Sequence, residues 1–337
     1  MKIQIPKRSR YFFEKGKIML KLKPIFLSLL LALVLPFAAF SQETKPLKID
    51  LLMYLENPVT NIFEKSLKDG LGKSGLVEDK DYSIRSRSAQ GEMSILASLV
   101  DSAVMDKSDL IFTMNSPTLQ VALQRAPKSK IVFSVLTDPF ILGAGKTNTD
   151  HLPNLTGTYL SARNKELFEA IAGIKPACKK IGCLVCSSDI TSKFTFEGLQ
   201  KEAKSYNIDL VEQTYDTLGD IVNAAQALSE KGVDSFLHFP DSYLTQTFVV
   251  LNKVAESRKL PIFSTFNLNT GNQLLLSVGP KLEKSSEQLV EIALQAIKGT
   301  DLGKIPFQNI EGIPVEYYFN EKLAKELGIS GLEKLQK

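Results

Sequence analysis

The chain has 337 residues, 44% of them hydrophobic, and a formal net charge of +4. That length suffices for one large or two medium domains with substantial cores. Three cysteines are too few for a disulfide-rich scaffold, and beyond the first 41 residues Lys and Arg do not cluster as a nucleic-acid-binding surface requires.

The first 41 residues have the pattern of a secretory signal peptide. Eight basic residues lie between Lys2 and Lys23, and a 16-residue apolar run, interrupted by Ser28, follows at 25–40. A membrane-spanning helix needs about 20 apolar residues, and no Cys lies near the cleavage point. We therefore predict a cleaved signal peptide at 1–41 and a periplasmic protein that is not a lipoprotein. A retained anchor is the alternative, and Met19 is an alternative start. Residues 42–337 carry 33 basic against 36 acidic residues, a net charge of −3.

After the leader, short apolar strands alternate with amphipathic helices. In the first half, the patterns predict strands at 48–54, 82–87, 109–113, 130–136 and 154–158, and helices at 60–71, 93–105 and 117–124. In the second half, they predict helices at 167–174, 194–206, 221–230, 243–256, 285–298 and 321–327, and strands at 180–186, 209–215, 234–239, 261–265, 273–278 and 313–319. The strict alternation indicates an α/β protein with parallel sheets, and the restart near residue 160 predicts two Rossmann-like lobes.

Small polar clusters follow the strands of both halves, where parallel sheets bind ligands. Each cluster has two readings: a helix N-cap, or a ligand contact in a cleft between facing lobes. The candidates for ligand contact are Glu56, Asn57, Asn115, Ser116, Thr118, Thr137, Asp138, Ser188, Asp241 and Asn267. Two aromatic residues near strand ends, Tyr54 and Tyr243, are further candidates for stacking on a ligand, although Tyr54 also fits a core position.

The sequence offers no convincing enzyme motif. Gly70, Gly72 and Gly75 match a dinucleotide-binding pattern by spacing, but they follow a helix, so we interpret them as a helix stop and turn. No Gly-x-Ser-x-Gly elbow occurs, and the two histidines lack metal-ligand spacing. We therefore predict no catalytic residue, no metal and no cofactor.

The three cysteines fit structural positions. Cys183 and Cys186 lie in a predicted buried strand, where a spacing of three directs their side chains to opposite faces. We expect core residues rather than a redox or metal pair. A disulfide from Cys178 to either of them remains open.

The order of short motifs over about 280 residues resembles the extracytoplasmic substrate-binding proteins of ABC transporters, in the tryptophan-binding-protein-like group. The matching segments include Glu-Asn-Pro at 56–58, Ser-Ala-Gln-Gly-Glu at 88–92, Ser-Pro-Thr at 116–118, Val-Phe-Ser-Val-Leu-Thr-Asp-Pro at 132–139 and Lys-Glu-Leu-Gly-Ile at 325–329. The second of these departs from the group's Asn-Ala-Gln-Gly-Asp at its first and last positions. Residues 267–271 depart most from the group's pattern, which leaves the recognition of the ligand's polar end open.

The resemblance implies a periplasmic binding protein type I-like fold whose hinge-linked lobes close on a small ligand. We assign 42–158 plus about 281–300 to the N-terminal lobe, and 159–280 plus about 301–337 to the C-terminal lobe. By position, Gln90, Ser116, Thr118, Thr137 and Asp138 would contact the ligand from the first lobe, and Ser188, Asp241 and Asn267 from the second.

The implied function is that of a non-enzymatic, monomeric solute-binding protein of an ABC importer, with a permease and an ATPase as partners. The expected ligand is an amino acid, and aromatic amino acids are the substrates known in the group. The alternatives are a binding protein that serves a signalling receptor and, less favoured, a hydrolytic enzyme.

Overall fold

The computed structural model describes residues 45–161, 163–267, 271–309, 313 and 315–332. The predicted signal peptide lies outside these residues, as do positions 268–270 of the divergent segment. Within the described ranges, no helix combines the length and apolarity needed to cross a membrane.

Twelve strands form in the described ranges. They are β1 (Leu47–Met53), β2 (Tyr82–Ser88), β3 (Leu110–Met114), β4 (Ile131–Ser134), β5 (Leu155–Tyr159), β6 (Lys180–Cys186), β7 (Asp209–Tyr215), β8 (Ser235–His238), β9 (Ile262–Ser264), β10 (Leu274–Pro280), β11 (Gln308–Asn309) and β12 (Val315–Phe319).

Nine α-helices cover these strands in the same ranges. They are α1 (Pro58–Lys73), α2 (Met93–Met105), α3 (Ser116–Arg125), α4 (Asn164–Ala172), α5 (Ile190–Lys204), α6 (Ile221–Glu230), α7 (Leu244–Arg258), α8 (Leu282–Ile297) and α9 (Glu321–Glu326). Short 3₁₀ turns occur at Leu218–Asp220 and Leu302–Lys304.

The strands form two six-stranded sheets, which confirms the predicted two-lobed α/β fold. The first has the order β11-β5-β4-β3-β1-β2 and is parallel throughout. The second has the order β12-β10-β9-β8-β6-β7, and only β12 runs antiparallel to its neighbour. Every residue of β3 and β4 is buried, as expected for strands covered by helices on both faces.

The chain passes between the sheets three times: between β5 and α4, between β10 and α8, and between β11 and β12. Helix α8 packs in the N-terminal lobe, where Leu289 and Ile292 join the hydrophobic cluster of α1. The segment before β11 also lies with this lobe, because β11 pairs with β5 and the Thr156 hydroxyl donates to the Ile305 carbonyl over 2.9 Å. Residues 301–309, which the sequence assigned to the C-terminal lobe, therefore lie with the N-terminal lobe, and the crossing follows β11. A two-residue strand has too little hydrophobic pattern to be recognised in the sequence.

Two glycines predicted to stop a helix lie inside one. Gly70 and Gly72 belong to α1, and the turn that follows contains Gly75 with φ +85°. Gly70 faces α8, since a Cβ built at this position would lie 2.4 Å from Val290 Cγ1. Gly70 therefore permits a close approach of two helices.

The cysteine side chains are structural, as predicted. Cys183 and Cys186 belong to different hydrophobic clusters on the two faces of the second sheet, and both are fully buried. Burial raises the pKa of both thiols. No disulfide joins them to Cys178.

Candidate functional site

A pocket lies between the two lobes and consists of two adjoining chambers. Both chambers share seven lining residues: Asn115, Val135, Leu136, Thr137, Pro240, Asp241 and Ser242. What we call the polar chamber adds Ser116, Pro117, Asp189 and Thr191, and its empty space, counted together with the open solvent at its mouth, is about 260 Å³. What we call the apolar chamber adds Asn57, Val59, Leu160, Leu244 and Phe266, and its empty space, counted in the same way, is about 420 Å³.

Asp241 is the acidic residue common to both chambers. It lies between β8 and α7, and its Oδ1 accepts a hydrogen bond from the Tyr243 amide over 2.9 Å. The Tyr215 hydroxyl donates to its other oxygen. Burial raises the pKa of the Asp241 carboxyl to about 7, and the charge of Asp189 acts in the same direction. A cationic group of a ligand would favour its ionised form.

Asp189 fixes the shape of the same wall. One of its carboxylate oxygens accepts from the amide and hydroxyl of Thr191, at 2.8 and 2.5 Å. The other accepts from the amide and hydroxyl of Ser242, at 3.0 and 2.6 Å. Asp189 thus caps α5 and holds the loop that carries Asp241 against it.

The first turn of α3 lies at the wall of the polar chamber, which Ser116 and Pro117 line. Asn115 adopts φ +70°, and its Oδ1 accepts from the Tyr54 amide at 3.1 Å and the Thr118 hydroxyl at 2.8 Å. The Asn115 side chain therefore does not cap α3. The positive end of the helix dipole remains available to an anionic group at this wall. Beside it, the buried Thr137 hydroxyl has no hydrogen-bond partner among the described residues.

Five of the thirteen predicted ligand-contacting residues line the pocket. These are Asn57, Asn115, Ser116, Thr137 and Asp241. Asn57 and Asn115 also have structural roles: Asn57 caps α1 through the amides of Val59 and Thr60.

The other eight predicted residues lie elsewhere, and most are used by the fold. Glu56 and Gln90 are exposed, and Thr118 is fully buried against Asn115. Tyr54 and Tyr243 contact each other across the lobes. The remaining three bind neighbouring backbone or side chains: Asp138 accepts from the amides of Phe140 and Ile141, Ser188 donates to the Asp216 carbonyl, and Asn267 bonds to Ser277 and the Glu316 carbonyl.

Sequence reasoning missed most of the apolar wall. Val59, Val135, Leu136, Leu160 and Leu244 carry no polar signal, and in sequence they resemble any core residue. Val135 has φ +57°, an uncommon conformation for a β-branched residue, and such backbone strain concentrates at functional sites. Asp189 does have a signal in the sequence, because it directly follows the predicted contact Ser188 in the polar segment after β6.

The family model for ABC transporter substrate binding protein matches residues 48–337 of the chain. This chain belongs to the ABC transporter substrate-binding protein family. Members of this family are extracytoplasmic binding proteins rather than enzymes. They bind small-molecule ligands and work with ABC transporters.

This substrate-binding protein is similar in sequence to a curated relative and similar in fold to solved structures. It is 26% identical over 294 residues to the Tyrosine-binding protein of Clostridioides difficile (strain R20291), covering 87% of this chain and 84% of the relative. A Streptococcus pneumonia ABC domain solved in complex with L-Trp aligns with a TM-score of 0.78 and 22% identity, over 86% of this chain and 97% of that one. A conserved domain protein from Vibrio cholerae O1 aligns with a TM-score of 0.77 and 24% identity, over the same shares of the two chains.

Proposed function

We propose that this protein is the periplasmic substrate-binding component of an ABC importer and that its ligand is an aromatic amino acid. The observation that carries this proposal is the pairing of a polar and an apolar chamber in one pocket between the lobes. An amino acid with a ring has a small zwitterionic end and a large apolar end, which correspond to the two chambers.

The polar chamber provides complementary groups for both charges of the zwitterion. Asp241 would accept hydrogen bonds from the ammonium group, and the uncapped first turn of α3 with Ser116 would bind the carboxylate. The lining residues include no Lys, Arg or His, so the carboxylate would rely on backbone amides and hydroxyl groups.

The apolar chamber would take the side chain. Phe266 offers a ring, and Leu160, Leu244 and Val59 offer aliphatic surface. Aromatic rings bury a large apolar area and pair favourably with other rings at an angle or offset. The names of two relatives, a tyrosine-binding protein and a structure with L-Trp, support this choice of ligand.

The remaining parts of the proposal rest on the family for the partners and on the sequence pattern of residues 1–41 for the location. The partners would be a permease and an ATPase, the protein would act as a monomer without catalysis, and residues 1–41 would direct it to the periplasm. The ligand would shift the lobes toward their closed arrangement only as far as it binds that arrangement more tightly.

The test is calorimetric titration of the purified protein with L-Trp, L-Tyr and L-Phe, with L-Asp and glucose as comparisons. We expect at least one aromatic amino acid to bind stoichiometrically. Asp241→Asn should weaken that binding about 10- to 100-fold, because a hydrogen bond to a charged group is worth about 1.5–3 kcal/mol.

Asp138→Asn is the matched control. Asp138 lies outside the lining residues, and an Asn oxygen can still accept the amides of Phe140 and Ile141. Its affinity should equal that of the unmodified protein. An unchanged affinity in Asp241→Asn, or turnover of a ligand instead of stoichiometric binding, would contradict the proposal.

A further inference from the structure

Tyr54 and Tyr243 join the two lobes at a point outside the pocket. Tyr54 follows β1 in the N-terminal lobe, and Tyr243 directly precedes α7 in the C-terminal lobe. Their hydroxyl oxygens lie 2.9 Å apart, and their rings meet edge to face with centroids 6.0 Å apart. Both are buried, with 5% and 6% exposure. We call these two residues the interlobe tyrosine pair.

Tyr243 packs against residues of the opposite lobe. These residues are Tyr54 and a turn at Gly91, whose amide donates to the Tyr54 carbonyl over 2.8 Å. A Cβ built at Gly91 would lie 3.9 Å from Tyr243 Cε1 and 4.0 Å from Leu55 Cδ1. The hydrophobic cluster that includes the interlobe tyrosine pair has members in both lobes. Separation of the lobes would therefore expose both rings and break the hydroxyl contact.

The pair is also connected to the pocket wall. The Tyr243 amide donates to Asp241 Oδ1 over 2.9 Å, and the Tyr215 hydroxyl donates to the other oxygen of the same carboxylate. The rings of Tyr215 and Tyr243 lie 6.1 Å apart. Asp241 lines both chambers, whereas neither Tyr54 nor Tyr243 lines either. The pair thus holds the loop that presents Asp241 without touching the space for a ligand.

We propose that the interlobe tyrosine pair is a positioning device that stabilises the closed arrangement of the lobes independently of ligand contact. A buried hydrogen bond and two buried rings form only when the lobes meet, so they lower the free energy of that arrangement whether or not a ligand is bound. The consequence for ligand binding rests on the proposed function: the pair would slow ligand release and raise affinity.

The first test measures the lobes without a ligand. Nitroxide labels at Lys65→Cys on α1 and Lys201→Cys on α5, in a Cys178→Ser background, report the distance between the lobes by pulsed electron resonance. Tyr54→Phe and Tyr243→Phe remove only a hydroxyl group and should move the distribution toward longer distances. Tyr82→Phe is the control, because Tyr82 is buried at the first position of β2 and lies within the N-terminal lobe. Identical distributions for all variants would overturn the proposal.

The second test measures the coupling between the two hydroxyl groups. With L-Trp or L-Tyr as ligand, each Phe variant should bind about 2- to 10-fold more weakly, mainly through faster dissociation, since one buried hydrogen bond is lost. The double variant should bind no more weakly than either single one, because both changes break the same bond.

Losses that multiply in the double variant would overturn the proposal, as would unchanged dissociation rates in both single variants. If no amino acid binds at all, the proposed function fails, but the distance measurement still tests the pair. The two failures are therefore distinguishable.

Discussion

Two carboxyl groups stand on one wall of the pocket, and their surroundings give them different roles. Asp189 accepts four hydrogen bonds from Thr191 and Ser242, so its lone pairs are used within the protein. Asp241 accepts one bond at each oxygen, from Tyr243 and Tyr215, and retains acceptor capacity toward the pocket. Asp189 therefore supports the site, and Asp241 is the group available to a ligand.

Asp241 should make ligand binding depend on pH near neutrality. Burial raises the pKa of its carboxyl to about 7 in the protein, and a ligand ammonium requires the ionised form. Affinity for an aromatic amino acid should therefore be constant above pH 7 and fall by up to about tenfold per pH unit below it. Calorimetric titrations between pH 5.5 and 8.5 measure this dependence.

The unliganded protein should show the opposite trend in stability. A carboxyl whose pKa is raised by folding favours the native state at low pH, and this contribution is lost as pH rises from the ordinary value of 3.8 through about 7. Asp241→Asn should remove both trends. An affinity in the unmodified protein that does not change across pH 7 would contradict this assignment of the ammonium contact.

The sequence predicts polar site residues better than apolar ones. Asn115, Ser116, Thr137 and Asp241 were identified because polar residues directly after a parallel strand are unusual enough to note. Hydrogen-bond partners decide whether such a residue faces a ligand or the protein, and sequence does not contain them. For this reason Asp138 was predicted as a contact although its carboxylate accepts two amides of its own turn.

At the scale of elements, the packing of α1 on α8 depends on one glycine. Gly70 and Gly72 both lie in the last turns of α1, but only Gly70 faces α8. A Cβ at Gly70 would meet three atoms of Val290, at 2.4, 2.7 and 3.1 Å, so rotation of that stiff side chain cannot relieve the contact. A Cβ at Gly72 would meet nothing within 4 Å.

Gly70→Ala and Gly72→Ala should therefore change stability in opposite directions. At position 70, overpacking costs about 1–3 kcal/mol, and contacts as short as 2.4 Å place the cost in the upper part of that range. After the gain in helix propensity of about 1 kcal/mol, the free energy of unfolding should fall by up to about 2 kcal/mol. At position 72 only the gain remains, so the free energy of unfolding should rise by about 0.5–1 kcal/mol. Urea denaturation measures both. Gly70→Ala combined with Val290→Ala should recover part of the loss, and equal effects of the two glycine changes would refute the contact.

Elements were more predictable than their connections. Periodicity located nearly every helix and strand in the described ranges, because each long element has a consistent apolar face. It did not locate β11, which has two residues, and it could not show that β12 pairs antiparallel with β10. The direction of an edge strand depends on the path of the chain through the hinge, which local pattern does not encode.

At the scale of the molecule, the pocket is built from both lobes and the chain crosses between them three times. Residues 115–117 and 135–137 line it from the first lobe, and 240–242 with 189 and 191 line it from the second. Three crossings restrict the relative motion of the lobes to hinge rotation more than a single linker would. A ligand in the pocket contacts both lobes, so its binding free energy stabilises their closed arrangement.

Ligand binding should therefore slow hydrogen exchange on both sides of the pocket at once. In the first turn of α3, Pro117 has no amide, and the amides of Ser116 and Thr118 lack a side-chain cap, so they should exchange rapidly in the unliganded protein. With a saturating aromatic amino acid these two amides should become protected. The amides of 242–244, which already donate to Asp189 and Asp241, should exchange more slowly than before, because the ligand and the closed lobes restrict local opening.

Exchange at residues 82–86 of β2 and 209–213 of β7 should change little and provides the internal control, because these parts of the edge strands lie away from the interlobe contact of Gly91 and from Tyr215, which contacts Asp241. Mass spectrometry of peptides from the labelled protein resolves the two lobes separately. Protection confined to one lobe would show that the ligand binds without closure, and the pocket would then belong to a single lobe. Simultaneous protection, lost from both lobes in Asp241→Asn, would tie closure to the carboxylate that lines both chambers.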